Sequence, residues 1–169
     1  MLLCPDWVFD DYTSVTPEFL QQLGIRLLLT DLDYTLAPKR VKEPDEAVQS
    51  WIRSLKDSGV EVVILSNNRN PARVERYCGT LGISYVGHAQ KPLGHGYREA
   101  MRKNRAAPNE TAMLGDKLLT DTLGAGCCGI TMLMVEPAGG AVTAWQRVLH
   151  ALQAPFKALS AHDERKKQV

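Results

Sequence analysis

Five short apolar runs recur along this chain, at Ile25 to Thr30, Val60 to Leu65, Ile83 to Val86, Thr111 to Leu114 and Ile130 to Val135, and the stretches between them carry helical signals. The runs are brief and rich in β-branched residues, as strands buried on both faces are. Between the first two, Asp45 is placed to cap a helix whose Val48, Trp51, Ile52 and Leu55 share one face, with Gly59 to end it. Asn70 and Pro71 open a second helix that ends near Gly82. A third runs from about Tyr97 to Lys103, and a short helical stretch starts at Thr120. Strand and helix in alternation predict a doubly wound α/β domain, a mostly parallel five-stranded sheet covered by helices on both sides. The 169 residues suit one domain over 1–169: a core at about 25–135, a C-terminal helix at about 140–160 and a charged, frayed tail at 161–169.

Charge and cysteines narrow the function classes. A formal net charge of +1 does not favour a nucleic-acid partner held by counterion release. Cys4, Cys78, Cys127 and Cys128 lack the C-x-x-C spacing of zinc and redox sites, as in a chain made in a reducing compartment. Cys127 and Cys128 read as small core residues ahead of the fifth strand. No stretch reaches the ~20 apolar residues of a membrane span, and the start does not resemble a signal peptide. The expectation is a cytoplasmic protein, soluble or peripheral on the inner face of the membrane.

Open parallel sheets build their sites beyond the carboxyl ends of the strands. There the chain sets Asp31 and Asp33 after the first run, Ser66 and Asn67 after the second, Lys91 in the loop after the third, and Gly115, Asp116 and Asp121 after the fourth. Asp31 and Asp33 stand two residues apart, so both can reach one site, and their like charges call for a cation between them. The set suits phosphoryl transfer: one carboxylate to attack phosphorus, a second to move a proton, donors for the phosphate oxygens and acids for Mg²⁺. His88 and His95 flank Lys91 but read as surface or packing residues.

Taken in order, Asp31-Leu32-Asp33-Tyr34-Thr35, Ser66 after Val62 to Leu65, Lys91-Pro92, and Gly115-Asp116 with Asp121 resemble the four motifs of the haloacid dehalogenase superfamily of phosphatases. Ser66-Asn67-Asn68, Leu118-Leu119-Thr120-Asp121 and the N-terminal Pro5-Asp6 extend the resemblance to the YqeG-type branch, which includes phosphatidylglycerophosphate phosphatases. That branch usually carries Asn where Tyr34 stands and Gln where Lys117 stands, so this chain adds a bulky ring beside the first motif and a charge beside a metal acid.

The resemblance implies that Asp31 is the nucleophile, Asp33 the general acid and base, and Lys91 the residue that neutralises charge. Thr35, Ser66, Asn67 and Lys91 would bind substrate, Thr35 by holding the loop. Asp31, Asp33 through its carbonyl, Asp116 and Asp121 would serve Mg²⁺, the last through water or by orienting a ligand or Lys91. Specificity caps in this fold are inserted after the first motif or between the second and third, where this chain has room for none, so it is expected to be capless and open to a large phosphate monoester such as a lipid head group. Lys39, Arg40 and Lys42 near the mouth suit an anionic surface or a solvated loop. Trp145, Val148, Leu149, Leu152, Phe156 and Leu159 recur at near-helical spacing, with Pro155 to kink or end the helix; the stripe suits the domain's own core or a membrane, where Trp7-Val8-Phe9 would join as an interfacial anchor. The leading expectation is phosphatidylglycerophosphate phosphatase; the alternatives are a soluble phosphatase for a sugar phosphate, nucleotide or phosphoprotein, and a non-catalytic phosphate-binding scaffold.

Overall fold

The computed structural model describes residues 2–68, 70–139, 144–160 and 162–164, and of the side chains between 144 and 150 only that of Val148. Its strands are β1 (Trp7–Phe9), β2 (Leu27–Thr30), β3 (Glu61–Leu65), β4 (Ser84–Val86), β5 (Thr111–Gly115), β6 (Thr131–Val135) and β7 (His162–Asp163). They form one sheet in the order β4-β3-β2-β5-β6-β1-β7, and every neighbouring pair is parallel. The helices are α1 (Pro17–Gln22), α2 (Glu46–Asp57), α3 (Pro71–Leu81), α4 (His95–Lys103), α5 (Leu123–Cys128) and α6 (Ala144–Ala158).

Alternation along each strand sorts the core into two layers. Leu28, Val62, Ile64, Leu114 and Leu133 pack with Leu20 of α1, Val48, Trp51, Ile52 and Leu55 of α2, and Val74 and Tyr77 of α3. Leu27, Leu29, Val63, Met113 and Met132 face the other way, onto Tyr97, Ala100 and Met101 of α4, Ala125 of α5 and the half-buried Phe156 of α6. Strand order places the site. From β2 the chain proceeds outward through β3 and β4, then returns to β5 on the other side of β2, so the topological switch lies between β2 and β5.

Helix ends follow the expected chemistry. Asp45 accepts from the Val48 amide at 2.9 Å, Asn70 accepts from the Arg73 amide, and Gly82 closes α3 at φ 62°. Asp45→Ala is expected to cost about 1 kcal/mol of stability by removing one such cap, read as a lower urea midpoint at unchanged slope.

Several expectations are corrected. The sheet has seven strands, not five, because Trp7–Phe9 pairs with β6 and His162–Asp163 pairs with β1. Trp7-Val8-Phe9 is therefore no membrane anchor: Val8 and Phe9 are buried, and the Trp7 ring stacks on His162 at 4.0 Å. The frayed tail likewise begins later than expected, since His162 and Asp163 are in the sheet; 161 and 165–169 lie outside the described residues. Cys127 is exposed, so it fills no core, while Cys128 is half-buried and packs against the second core layer. Pro155 does not end α6, which runs on to Ala158. Along that helix Phe156 packs inward and Lys157 pairs with Glu136 at 2.7 Å, whereas Val148, Leu152 and, just past the helix end, Leu159 are exposed. The side chains of Trp145 and Leu149 in the apolar stripe, and the start of the expected helix at 140–143, lie outside what the structure describes.

Candidate active site

Asp31 continues β2 by one residue, its amide donating to the Leu114 carbonyl of β5 at 2.9 Å. Leu32 then turns into the core and is fully buried, which brings Asp31 and Asp33 out on the same side. The chain reverses at Tyr34, whose φ of 70° lies in the left-handed region, and the Tyr34 amide donates to the Ala37 carbonyl at 2.8 Å. β5 delivers the facing wall. A Cβ on Gly115 would stand 2.5 Å from the Asp121 carboxyl, so only glycine lets that acid lie against the strand end. A π-helical turn, Leu118–Thr122, folds Asp121 back under the site, where its Oδ2 accepts from the Lys117 amide at 3.1 Å.

These pieces form a charged floor. Lys91 Nζ, on a side chain 2% exposed, lies 2.9 Å from Asp31 Oδ1 and 2.7 Å from Asp121 Oδ1. Lys117 Nζ lies 2.9 Å from Asp31 Oδ2, 2.6 Å from Asp116 Oδ1 and 3.0 Å from the Asp33 carbonyl oxygen. Burial alone would raise the Asp31 carboxyl, but the charges of Lys91 and Lys117 outweigh it and hold it down at about 2. Burial pushes Asp116 up to about 6, and the charges of Asp31 and Asp121 add to it against the pull of Lys117. Asp121 is raised as well, chiefly by burial. Lys91 is held above the ordinary lysine range by Asp121 and Asp31 although burial opposes it. The outcome is an ionised Asp31 at the centre of the floor.

Above it opens a cavity of about 440 Å³, lined by Asp31, Asp33, Tyr34, Lys39, Ser66, Asn67, Asn68, Lys91, Lys117 and Thr120. Between Thr35 and Ser66 the chain forms only α2 and β3 beyond a linker, and between Ser66 and Lys91 only α3 and β4. No inserted domain covers the cavity among the described residues.

The structure brings together every residue singled out at the strand ends, though not always in the expected posture. Ser66 is buried and its Oγ accepts from the Asn68 amide at 3.0 Å. Asn67 turns its side chain to the Lys91 backbone, donating to its carbonyl at 2.9 Å and accepting from its amide at 2.8 Å, and so ties two loops together. Thr35 stands beneath the site instead of in the cavity wall; it is buried and its hydroxyl donates to Asp116 Oδ1 at 3.1 Å. His88 is exposed, and His95 points outward beside Glu99.

Asp33 has two partners that sequence reasoning missed. Arg73 Nη1 lies 2.6 Å from its Oδ1, and Asn68 Nδ2 donates to its Oδ2 at 2.9 Å. Arg73 also donates to the Val41 carbonyl, which joins the loop after the first motif to α3. The available signal was the Pro71 start of α3, which puts Arg73 on the first turn of a helix that begins at the site's rim.

These oxygens could hold a cation. One oxygen from each of Asp31, Asp116 and Asp121 falls within a group whose members are all within 4.8 Å of one another, and Thr35 holds Asp116 in place. The Asp33 carbonyl adds a neutral oxygen, so the donor set is all oxygen, as Mg²⁺ prefers. The Lys117 ammonium already draws on three of these oxygens, which shows the electrostatic demand of the cage.

Known proteins share both the sequence and the architecture. The family model for haloacid dehalogenase-like hydrolases matches residues 11–129. The chain is 32% identical over 146 residues to "Probable phosphatase YqeG" of Bacillus subtilis (strain 168), a match covering 85% of this chain and 84% of that protein. In fold it is similar to the cobalt-bound deoxy-D-mannose-octulosonate 8-phosphate phosphatase of Haemophilus influenzae, with a TM-score of 0.57, 18% identity, and 82% of this chain and 92% of that one covered. It is similar also to the 3-deoxy-D-manno-octulosonate 8-phosphate phosphatase of Moraxella catarrhalis, solved with magnesium, phosphate and KDO, with a TM-score of 0.51, 18% identity, and 83% and 92% covered.

Proposed function

The chain belongs to the haloacid dehalogenase-like hydrolase family, and we propose that it is a Mg²⁺-dependent phosphatase that cleaves phosphate monoesters through a phosphate ester of Asp31. The observation that carries this reading is the ionised Asp31 at the floor of an open cavity, with Lys91 and Lys117 on its two oxygens and Asp33 at the rim. An Asp31 oxygen attacks phosphorus as the bond to the leaving oxygen breaks, and Asp33 gives that oxygen its proton. Asp33 then takes a proton from water, whose oxygen attacks phosphorus; the bond to Asp31 breaks, inorganic phosphate leaves and the carboxylate is restored. Lys91 neutralises charge on Asp31 and the phosphoryl oxygens, and Ser66 Oγ and the Asn67 amide donate to the latter. Asp121 orients Lys91, and Asp116, held by Thr35, holds Mg²⁺ with Asp31 and the Asp33 carbonyl. When bound, Mg²⁺ supplies positive charge against the phosphate oxygens.

Asp33→Asn is expected to slow turnover at least ~10²-fold, the lower range for a positioned acid. The loss should be larger for an alkyl phosphate than for an aryl phosphate, whose leaving oxygen departs without a proton. Equal losses on both substrates would remove Asp33 from the acid role.

For the substrate we propose phosphatidylglycerophosphate, approached at the membrane surface. Supporting this are the cavity with no inserted domain over it among the described residues, the exposed Lys39, Arg40 and Lys42 on the loop after the first motif, and the outward Val148 and Leu152 of α6 with Leu159 just beyond it. No helix among the described residues is long and apolar enough to cross a membrane. The test is Mg²⁺-dependent phosphate release from the lipid in mixed micelles, set against glycerol 3-phosphate and an aryl phosphate. A strong preference for the lipid is expected; equal or faster release from the soluble esters would move the assignment to a soluble substrate, and no release from any would leave a scaffold.

A further inference from the structure

Lys117 helps to hold Asp31 ionised but takes part in none of the bond-making steps above, and it holds the centre of the oxygen cage. Its Nζ takes one oxygen from each of three points: Asp31 Oδ2 at 2.9 Å, Asp116 Oδ1 at 2.6 Å and the Asp33 carbonyl at 3.0 Å. Two carboxylates and a carbonyl converging on one point are a hard-cation donor set. Ammonium and metal ion draw on the same lone pairs, and two cations competing for one set of oxygens also repel each other. The cage therefore has room for one of them at a time.

The two lysines of the floor differ in their freedom to leave. Lys91 is enclosed, 2% exposed, and bound to the other Asp31 oxygen and to the fully buried Asp121. Lys117 is 37% exposed and lines the cavity, so open space adjoins its side chain. The Tyr34 ring already lies beside the caged ammonium, its centroid 5.9 Å from Lys117 Nζ, and its face attracts a cation.

We propose that Lys117 is the resident cation of this site, occupying the cage in the metal-free protein and withdrawing into the cavity when Mg²⁺ enters, so that metal binding and the lysine's swing are one event. The proposal rests on the reading that Asp31, Asp116 and the Asp33 carbonyl hold Mg²⁺. It has a direct consequence for affinity, because Mg²⁺ binds only the fraction of molecules whose cage is open. It also makes the metal-free site self-neutralising, with an internal cation on the nucleophile where an empty cage would leave Asp31 and Asp116 facing each other.

The test is calorimetric titration of Mg²⁺ into the metal-free full-length chain and into its Lys117→Gln variant, with Asp116→Asn as a control. Glutamine, one atom shorter than lysine, removes the charge and keeps a polar end. Lys117→Gln is expected to bind Mg²⁺ at least ~10-fold more tightly than the unaltered protein, as follows when the lysine closes the cage in nine molecules of ten or more, and Asp116→Asn should lose binding. A second measurement needs no variant. Acetylation of surface amines, read by mass spectrometry, should increase at Lys117 on adding Mg²⁺ while Lys42 and Lys103 stay constant. Equal affinities, or unchanged labelling of Lys117 while Mg²⁺ binds, would overturn the proposal and leave the metal reading standing. Absence of Mg²⁺ binding in both the unaltered protein and Lys117→Gln would overturn the metal reading and this proposal with it.

Discussion

Asp31→Asn is expected to reduce phosphate release at least ~10⁴-fold, since knocking out a nucleophile removes the chemical path and leaves only binding and charge stabilisation. The substitution preserves shape, so the loss is chemical. In the folded protein Lys91 keeps Asp121 as its partner and Lys117 keeps Asp116, so neither ammonium is stranded. The amide cannot attack phosphorus, and it no longer balances the two cations that hold Asp31 ionised. The measurement is steady-state phosphate release with an aryl phosphate, beside circular dichroism to confirm the fold. Retained hydrolysis in protein purified free of the unaltered enzyme would sink the mechanism.

Lys91→Met is expected to act on stability and turnover together. Lys91 and Asp121 form an ion pair with side chains 2% and 0% exposed, and Asp31 shares the same ammonium. Removing one member of such a buried pair strands the other's charge, at a cost of ~3–5 kcal/mol. Denaturant titration should show a large fall in midpoint, and phosphate release should disappear because Asp31 and the phosphoryl oxygens lose their shared cation. Pairing Lys91→Met with Asp121→Asn separates the two effects: the double variant should regain much of the stability, its buried charge having been removed, and stay inactive. Recovery of activity along with stability would make Lys91 a structural residue alone.

How much of this could be read before the fold was known depends on where each signal resides. The central strands were legible because each is a continuous apolar run between turn residues, and the rim acids because parallel sheets put their sites at strand ends. β1 and β7, of three and two residues, carry no periodicity; they are strands only because β6 offers Trp7–Phe9 an edge and β1 then offers one to His162–Asp163. The same logic separates the site residues. Asp31, Asp33, Ser66, Lys91, Asp116 and Asp121 follow from topology, whereas Arg73 and Asn68 reach Asp33 only through the direction of α3 and the course of the 66–70 loop. Lys117 was visible as a charge beside an acid. That its ammonium is bound by three oxygens depends on how the turn after β5 meets the turn after β2, which is long-range geometry that local sequence does not encode.

The central claim is that phosphate passes through Asp31, and trapping it there tests this most directly. The Asp33→Asn protein, given Mg²⁺ and an aryl phosphate, forms the intermediate without needing an acid and breaks it down slowly for lack of a base. Acid quenching followed by borohydride reduction converts an aspartyl phosphate to homoserine, which mass spectrometry locates in the chain. The account predicts homoserine at Asp31 and none at Asp116 or Asp121. Continued phosphate release by the unaltered enzyme with no modification at Asp31 in either protein would contradict it.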